Sequence, residues 1–438
     1  MQIFALVYAP LFLLMAFRRP VWALIAIFAL APLQIGLGIA GTGVEFSLAE
    51  VNLLLTFIVW ILKLRRTRYG LSLGPLAQPI LGYLLVSLSS SLISWRGSDA
   101  VTSLLQTVLY TVITVLIFST FAPVNELPRV LYSLLPVATI WSFVGVGSGF
   151  HFMLLGKNAF GGIFSLAFLV ALDLLLAKGH VKRPWQRDWG RYAIFGAMLI
   201  LAGGLILSLS RGAWMGAFGG VFVIMMLRRA SMRMAKMAIM FFPLLLILWS
   251  TLPEKQQKYA FGFEKERYNI RARYRSLAIA EKAFASSPVL GTGTGLRKQY
   301  DATNIIWSTL AETGVLGMAS LLWIFIVLYR LSWRSRYILP SSDPRFSLLT
   351  LGCALMTCKI LHGMVDNYWG RGSITIAWGA LGMMLAYCRI PLEERTRQIV
   401  ESRRRRLSAL PQFAPSPASV PSPQAMATSP FSADGAHL

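Results

Sequence analysis

An all-α, polytopic helical membrane protein with about 12–13 transmembrane helices and one large external loop is the fold class predicted by three features of this 438-residue sequence. Of its residues 56% are hydrophobic and only 14% charged, with a mean hydropathy of +0.61, so charges are too few to coat a soluble globule. Apolar runs of about 16–22 residues recur between short polar turns, as bilayer-crossing helices require. The basic residues gather in alternate turns, the mark of a chain threaded repeatedly through a membrane.

The candidate spans run 3–17, 20–40, 46–62, 76–94, 101–120, 129–148, 158–177, 192–208, 212–227, 235–251, 305–329, 346–364 and 372–389. Arg18 and Arg19 divide the first two, and Lys63, Arg65, Arg66 and Arg68 follow the third. Lys178, Lys182, Arg183, Arg187 and Arg191 follow the seventh; Arg228, Arg229, Arg233 and Lys236 follow the ninth. Arg330, Arg334 and Arg336 follow the eleventh, and Arg403–Arg406 open the tail. These groups fall on one side, which the positive-inside rule makes cytoplasmic. Residues 41–47, 94–99, 147–158, 210–212, 251–304 and 362–371 then fall outside. The predicted organisation is a transmembrane bundle over 1–250, an external basic loop over 251–304, further transmembrane helices over 305–392, and a disordered cytoplasmic tail over 393–438, basic and then rich in Pro and Ser.

Composition also excludes several classes. The formal net charge of +24 is distributed over separate membrane loops, so it does not describe a nucleic-acid surface. Cys353, Cys358 and Cys388 lie in apolar segments without metal-like spacing, which implies neither a disulfide framework nor a zinc site. The first residues lack the charged start and small-residue cleavage site of a signal peptide.

Residues 251–304 run against the charge rule. They hold ten basic and five acidic residues, about +5, on the external side, and this points to an anionic partner. Residues 268–285 read as an amphipathic helix with Ile270, Tyr274, Leu277 and Phe284 near one face. Arg267, Arg271 and Arg275 share an adjoining ridge, while Arg273 projects elsewhere. Two readings stand side by side: an interfacial helix with snorkelling arginines, or a surface for phosphate oxygens, which the planar guanidinium suits by donating parallel hydrogen bonds. The following Pro288-Val289-Leu290-Gly291-Thr292-Gly293-Thr294-Gly295 is either a tight return to the membrane or a backbone nest for an anion. No strand precedes it, so a dinucleotide fold does not follow.

Four further positions carry polarity into or beside the spans. Glu312 lies eight residues beyond Asn304, about 12 Å along a helix. A carboxylate that deep marks either a site or an internal salt bridge. Arg211, in Ser210-Arg211-Gly212, opens a span on the external side, as a site residue or as a hairpin arginine at headgroup level. His362 and Asp366 stand four apart at the external end of another span, an imidazole and a carboxylate on one face.

In this order and topology the chain resembles the bacterial O-antigen ligase and O-antigen polymerase superfamily of membrane glycosyltransferases. Ser210-Arg211-Gly212 is similar to that family's Ser-Arg-Gly element, and Arg273 stands fifteen residues ahead of a Pro-x-x-Gly-x-Gly turn, as in the family. Asn304 through Glu312-Thr313-Gly314-Val315-Leu316-Gly317 is similar to the segment written His-Asn, several apolar residues, then Leu-Ala-Glu-x-Gly-x-x-Gly. One position departs: Thr303 stands where the family's ligases carry histidine, and threonine is no base near neutral pH.

The resemblance implies transfer of a glycan from undecaprenyl diphosphate to a hydroxyl of a glycan acceptor, on the outer face of the bacterial cytoplasmic membrane. It implies Arg211 and Arg273 as the residues that stabilise the diphosphate leaving group, with Arg271 and Arg275 as helpers and Asn304 and Glu312 ordering the loop-to-helix junction. Either Asp301, His362 or Asp366 takes the part of the absent histidine, or leaving-group stabilisation carries the reaction. No metal or other cofactor is implied. The departure at Thr303 favours a polymerase of exopolysaccharide, capsule or O-antigen over a ligase acting on lipid A-core. A flippase for the same lipid-linked glycan and an inactive scaffold among other polysaccharide assembly proteins are the rival readings. Membrane lipids, but no nucleic acid, complete the expected partners.

Overall fold

The computed structural model describes residues 2–33, 36–38, 45–64, 73–150, 156–177, 188–229, 249–261, 268–298, 303–366 and 373–391, with 232, 243, 246, 247, 300 and 401 as isolated positions. Residues Met1–Ile390 form one compact unit. The expected span 235–251 and the tail beyond 393 fall almost wholly outside the described residues, as does Asp301.

The protein is an all-α bundle. Helices α1 (Gln2–Arg18), α2 (Pro20–Leu30) and α3 (Leu48–Leu64) come first. A small antiparallel hairpin joins α2 to α3, with β1 (Gly36–Gly38) paired to β2 (Glu45–Ser47). The predicted span 20–40 is thereby corrected: its helix stops at Leu30. Pro32 lacks the amide needed to continue it, and the strand contains Gly36 and Gly38. Next come α4 (Ala77–Ile93), α5 (Ser98–Val108), a π-helical turn over Leu109–Thr114, and α6 (Val115–Thr120). Then follow α7 (Leu127–Tyr132), α8 (Leu134–Gly147), α9 (Lys157–Leu176), α10 (Asp188–Leu207) and α11 (Arg211–Arg228). The short α12 (Glu254–Phe261) and longer α13 (Tyr268–Ser286) precede α14 (Ile305–Ser335), α15 (Phe346–Val365) and α16 (Ile374–Cys388).

Among the described residues, seven helical stretches are long and apolar enough to cross a membrane, and α2 and α16 are shorter apolar helices. The outer surface agrees with lipid contact: Leu92, Ile93, Phe143 and Phe218 are each more than 60% exposed, an arrangement a soluble monomer avoids. The core lies around α15 and α16, where Phe346, Met356, Trp378 and Tyr387 are buried. Glycines of α11 allow close packing, as is common between membrane helices; a Cβ on Gly216 would lie 2.6 Å from the carbonyl oxygen of Cys358.

Two buried ionic groups fix the bundle. Arg228 closes α11 with Nε and Nη2 on the two carboxylate oxygens of Asp173, at 2.5 and 2.7 Å. Thr350 Oγ1 donates to the same carboxylate at 2.7 Å, and Arg228 also donates to Ser347 Oγ (2.9 Å) and the Ser341 carbonyl (2.9 Å). This joins α9, α11 and α15 at one end by a fully hydrogen-bonded pair, the condition under which a buried ion pair is tolerated. Near the other end, the buried Glu50 accepts the Ser47 N–H while Ser47 Oγ accepts the Glu50 N–H at 3.3 Å. That capping box starts α3, and Tyr110 and Gln106 donate to the remaining carboxylate oxygen.

The predicted amphipathic helix exists as α13, with its face rotated. Ser276 and Ala280 are its most buried side chains, and Tyr274 is 55% exposed. Ile270, Leu277 and Phe284 lie half-buried at the edge of that stripe. The small residues Ser276 and Ala280 admit close approach to α14, where Ala280 packs with Leu296 and Ala311 and Phe284 meets Trp307 edge-on. Tyr274 sits on the flank outside that contact.

Candidate active site at one end of the bundle

Residues 288–295 cross α14 where that helix is broken. Gly314 has φ 63° and ψ −164° inside α14, and the interrupted backbone is taken up by the crossing segment. Thr292 N–H donates to the Ala311 carbonyl (2.8 Å) and Gly293 N–H to that of Glu312 (3.2 Å); Val315 N–H donates to the Pro288 carbonyl (2.9 Å) and Leu316 N–H to that of Val289 (3.3 Å). Gly291, Gly293 and Gly295 all have positive φ, from 72° to 96°, which side chains with a Cβ rarely adopt. Ser90 of α4 completes the crossing, donating to the Glu312 carbonyl at 2.5 Å and accepting from Gly293 N–H at 3.1 Å. Of the two readings of this segment, the tight return is the one observed. The amides of residues 291–293 are spent on protein acceptors.

The side chain of Glu312 is fully buried, and the cation it faces is Arg297, which the sequence reading did not single out. Arg297 donates its backbone N–H and Nε–H to the carboxylate at 2.8 Å each, and its Nη2 pairs with Oε2. Burial alone would depress the guanidinium pKa; the facing carboxylate more than reverses this and holds it above its ordinary value. Glu312 thus fastens residues 288–298 to α14.

Asn304 caps α14, its Oδ1 accepting from the N–H groups of Ile306 (2.8 Å) and Trp307 (3.2 Å), a favoured N-cap arrangement. Its Nδ2 donates to the Met364 carbonyl at 2.8 Å, which fixes the start of α14 beside the end of α15. Thr303 N–H donates to Ser276 Oγ of α13 at 3.2 Å.

Beside these anchors, Arg273 and Asp366 come together, with His362 one turn away. Arg273, on the half-buried side of α13, has Nη2 3.9 Å from Asp366 Oδ2 at the end of α15. One turn back along α15, His362 is 1% exposed, with its ring between two glycines. A Cβ on Gly212 would lie 2.7 Å from His362 Cδ2, and one on Gly162 3.0 Å from His362 Cε1. Arg211 is the first residue of α11, and its neighbour Gly212 packs on the histidine ring. The neighbouring Ser210 is the N-cap of α11 and makes no capping bond. Its Oγ is buried and lacks a hydrogen-bond partner among the described residues. A helix N-terminus carries positive potential, and Ser210 and Arg211 stand at that of α11. Arg271 and Arg275 lie exposed on the outer side of α13.

Lys359, also not singled out in the sequence, lies on the same face of α15, at three and seven residues from His362 and Asp366. It is 3% exposed and donates to Ser373 Oγ at 2.9 Å. Its signal in the sequence is a lone cation in the apolar run 346–364. Arg297 had no such signal, being one of ten basic residues in a polar segment.

Fold and site together define a polytopic helical membrane protein with Arg273, His362 and Asp366 gathered at one end of its helices. Residues 196–322 match the family model described as O-antigen ligase, a stretch that includes Arg211, Arg273, Asn304 and Glu312. Over that stretch, less than a third of the chain, the sequence is similar to the O-antigen ligase family. No curated protein matches the chain.

Proposed function

We propose that the protein transfers a glycan from undecaprenyl diphosphate to a hydroxyl of a glycan acceptor at the periplasmic face of the bacterial cytoplasmic membrane. The observation that supports this reading is the approach of Arg273 to Asp366 at the end of α15, beside the His362 ring on which Gly212 at the start of α11 packs. As the bond between the anomeric carbon and the diphosphate oxygen breaks, its electron pair moves to the diphosphate. Donors aimed there act more strongly on the transition state than on the ground state, the condition for catalysis. Arg211 and Arg273 supply those donors, and Arg271 and Arg275 attract the donor from the exposed side of α13.

Asp366 accepts the proton of the attacking hydroxyl. It is partly exposed, whereas His362 is enclosed by Gly162 and Gly212; His362 positions α9, α11 and α15 around it. Thr303 stands in place of the family's histidine and favours polymerisation of an exopolysaccharide, capsule or O-antigen over ligation to lipid A-core. Replacing Arg273 with Ala and Asp366 with Asn tests the assignment. Each variant should insert into the membrane at wild-type level and lose product formation by roughly 100-fold or more. Full activity in Arg273→Ala would overturn it.

A further inference from the structure

At the end of the bundle opposite the glycan site, two consecutive arginines end α11 differently. Arg228 is buried and bound to Asp173. Arg229, in the left-handed conformation (φ 49°), is exposed and donates Nη2 to the hydroxyl of Tyr337 at 2.6 Å. Arg336, just beyond α14, donates Nη2 to that same hydroxyl at 2.5 Å. Its guanidinium carbon lies 3.3 Å from the Trp333 ring centroid and 4.7 Å from that of Tyr337, while that of Arg229 lies 5.2 Å from the Tyr337 ring. Among the described residues no carboxylate pairs with Arg229 or Arg336, and Arg336 Nε is buried without a hydrogen-bond partner.

Two guanidinium groups gathered on one neutral oxygen repel each other unless an anion joins them, and their remaining N–H groups suit phosphate oxygens. The surroundings identify the anion's carrier. Trp333 and Tyr337 are 46% and 65% exposed, as amphipathic rings at headgroup depth are. Along α14 from Trp333, the exposed Ile326 and Leu322 continue the same face at helical spacing, an apolar track beneath a cationic head. We propose that Arg229, Arg336 and Tyr337, edged by Trp333, bind the phosphate of an anionic phospholipid whose acyl chain runs along Ile326 and Leu322.

The test is saturation binding of labelled phosphatidylglycerol to the purified full chain in phosphatidylcholine-containing micelles. Binding should saturate, and Arg229→Gln combined with Arg336→Gln should weaken it about 25-fold, or about fivefold per arginine. Trp333→Leu should weaken it less, and inorganic phosphate at millimolar concentration should not displace the lipid. Binding by the double variant within twofold of wild type overturns the site, and displacement by inorganic phosphate overturns the lipid as its ligand. Should the double variant not fold, Tyr337→Phe decides: it should loosen the arginine pair and weaken binding severalfold, and unchanged binding overturns the site. Glycan transfer by Arg273→Ala is a separate readout, so neither result depends on the other.

Discussion

Arg273 and Asp366 stand at 3.9 Å, close enough to attract and too far for a hydrogen bond. The guanidinium is therefore attracted by the carboxylate without having its donors consumed by it, which leaves them for the diphosphate in the proposed reaction. Arg273→Lys keeps the charge but loses the planar fork, so it should retain more transfer than Arg273→Ala and less than wild type in a membrane assay of glycan product. The histidine beside it is held by shape. Gly212→Ala would push a methyl group against the His362 ring. It should lower both thermal stability, by about 1–3 kcal/mol as for an overpacked core, and activity; an unchanged melting temperature and activity would show that the ring moves aside freely. Arg273, His362 and Asp366 were legible in the sequence because each interrupts a pattern or matches a motif. Arg297 was not, since nothing in its spacing sets it apart from the nine other cations between 251 and 304. Its role depends on a partner fifteen residues away that the broken turn of α14 brings into reach.

At the scale of elements, the junction of residues 288–298 with α14 holds the site's supporting shell. Breaking a buried pair leaves an uncompensated charge, so Glu312→Ala should cost about 3–5 kcal/mol. A double-mutant cycle with Arg297→Ala, followed by thermal unfolding, should show strong coupling; additive effects would mean that the pair does not fasten the segment. Gly314→Ala places a side chain where φ is positive and the Val289 carbonyl already sits. It should reduce the amount of folded protein, measured as monodisperse material after detergent extraction. The sequence located α13 to within a residue of its end, because Pro288 and the glycines stop it. It misjudged the buried face, because hydrophobicity selected Tyr274 while close approach to α14 selected Ser276 and Ala280. Likewise the run 20–40 reads as one apolar span, yet Pro32 and the glycines beyond it turn the chain into a hairpin.

For the whole molecule, the segments that the charge pattern assigns to one side meet at one end of the bundle. Gly293 approaches Ser94, Gly295 approaches Asp99, Gly212 approaches His362, and Asn304 bonds Met364. The Asp173–Arg228 pair ties α9, α11 and α15 together at the opposite end, so the helices that frame the site are fixed in register from both ends. Hydropathy and loop charge assign these segments to one side without any knowledge of side-chain contacts. The ionic anchors within it were not readable, because a lone Asp173 and one arginine of a basic cluster become partners only through packing. The central claim, transfer from a lipid diphosphate, is tested most directly by mass spectrometry of undecaprenyl-linked glycans in a strain lacking the protein. The account predicts that single glycan units accumulate on the lipid carrier and that wild-type protein, but not Arg273→Ala, clears them into longer chains. Unchanged lipid-linked glycans in that strain, or full clearance by Arg273→Ala, would contradict it.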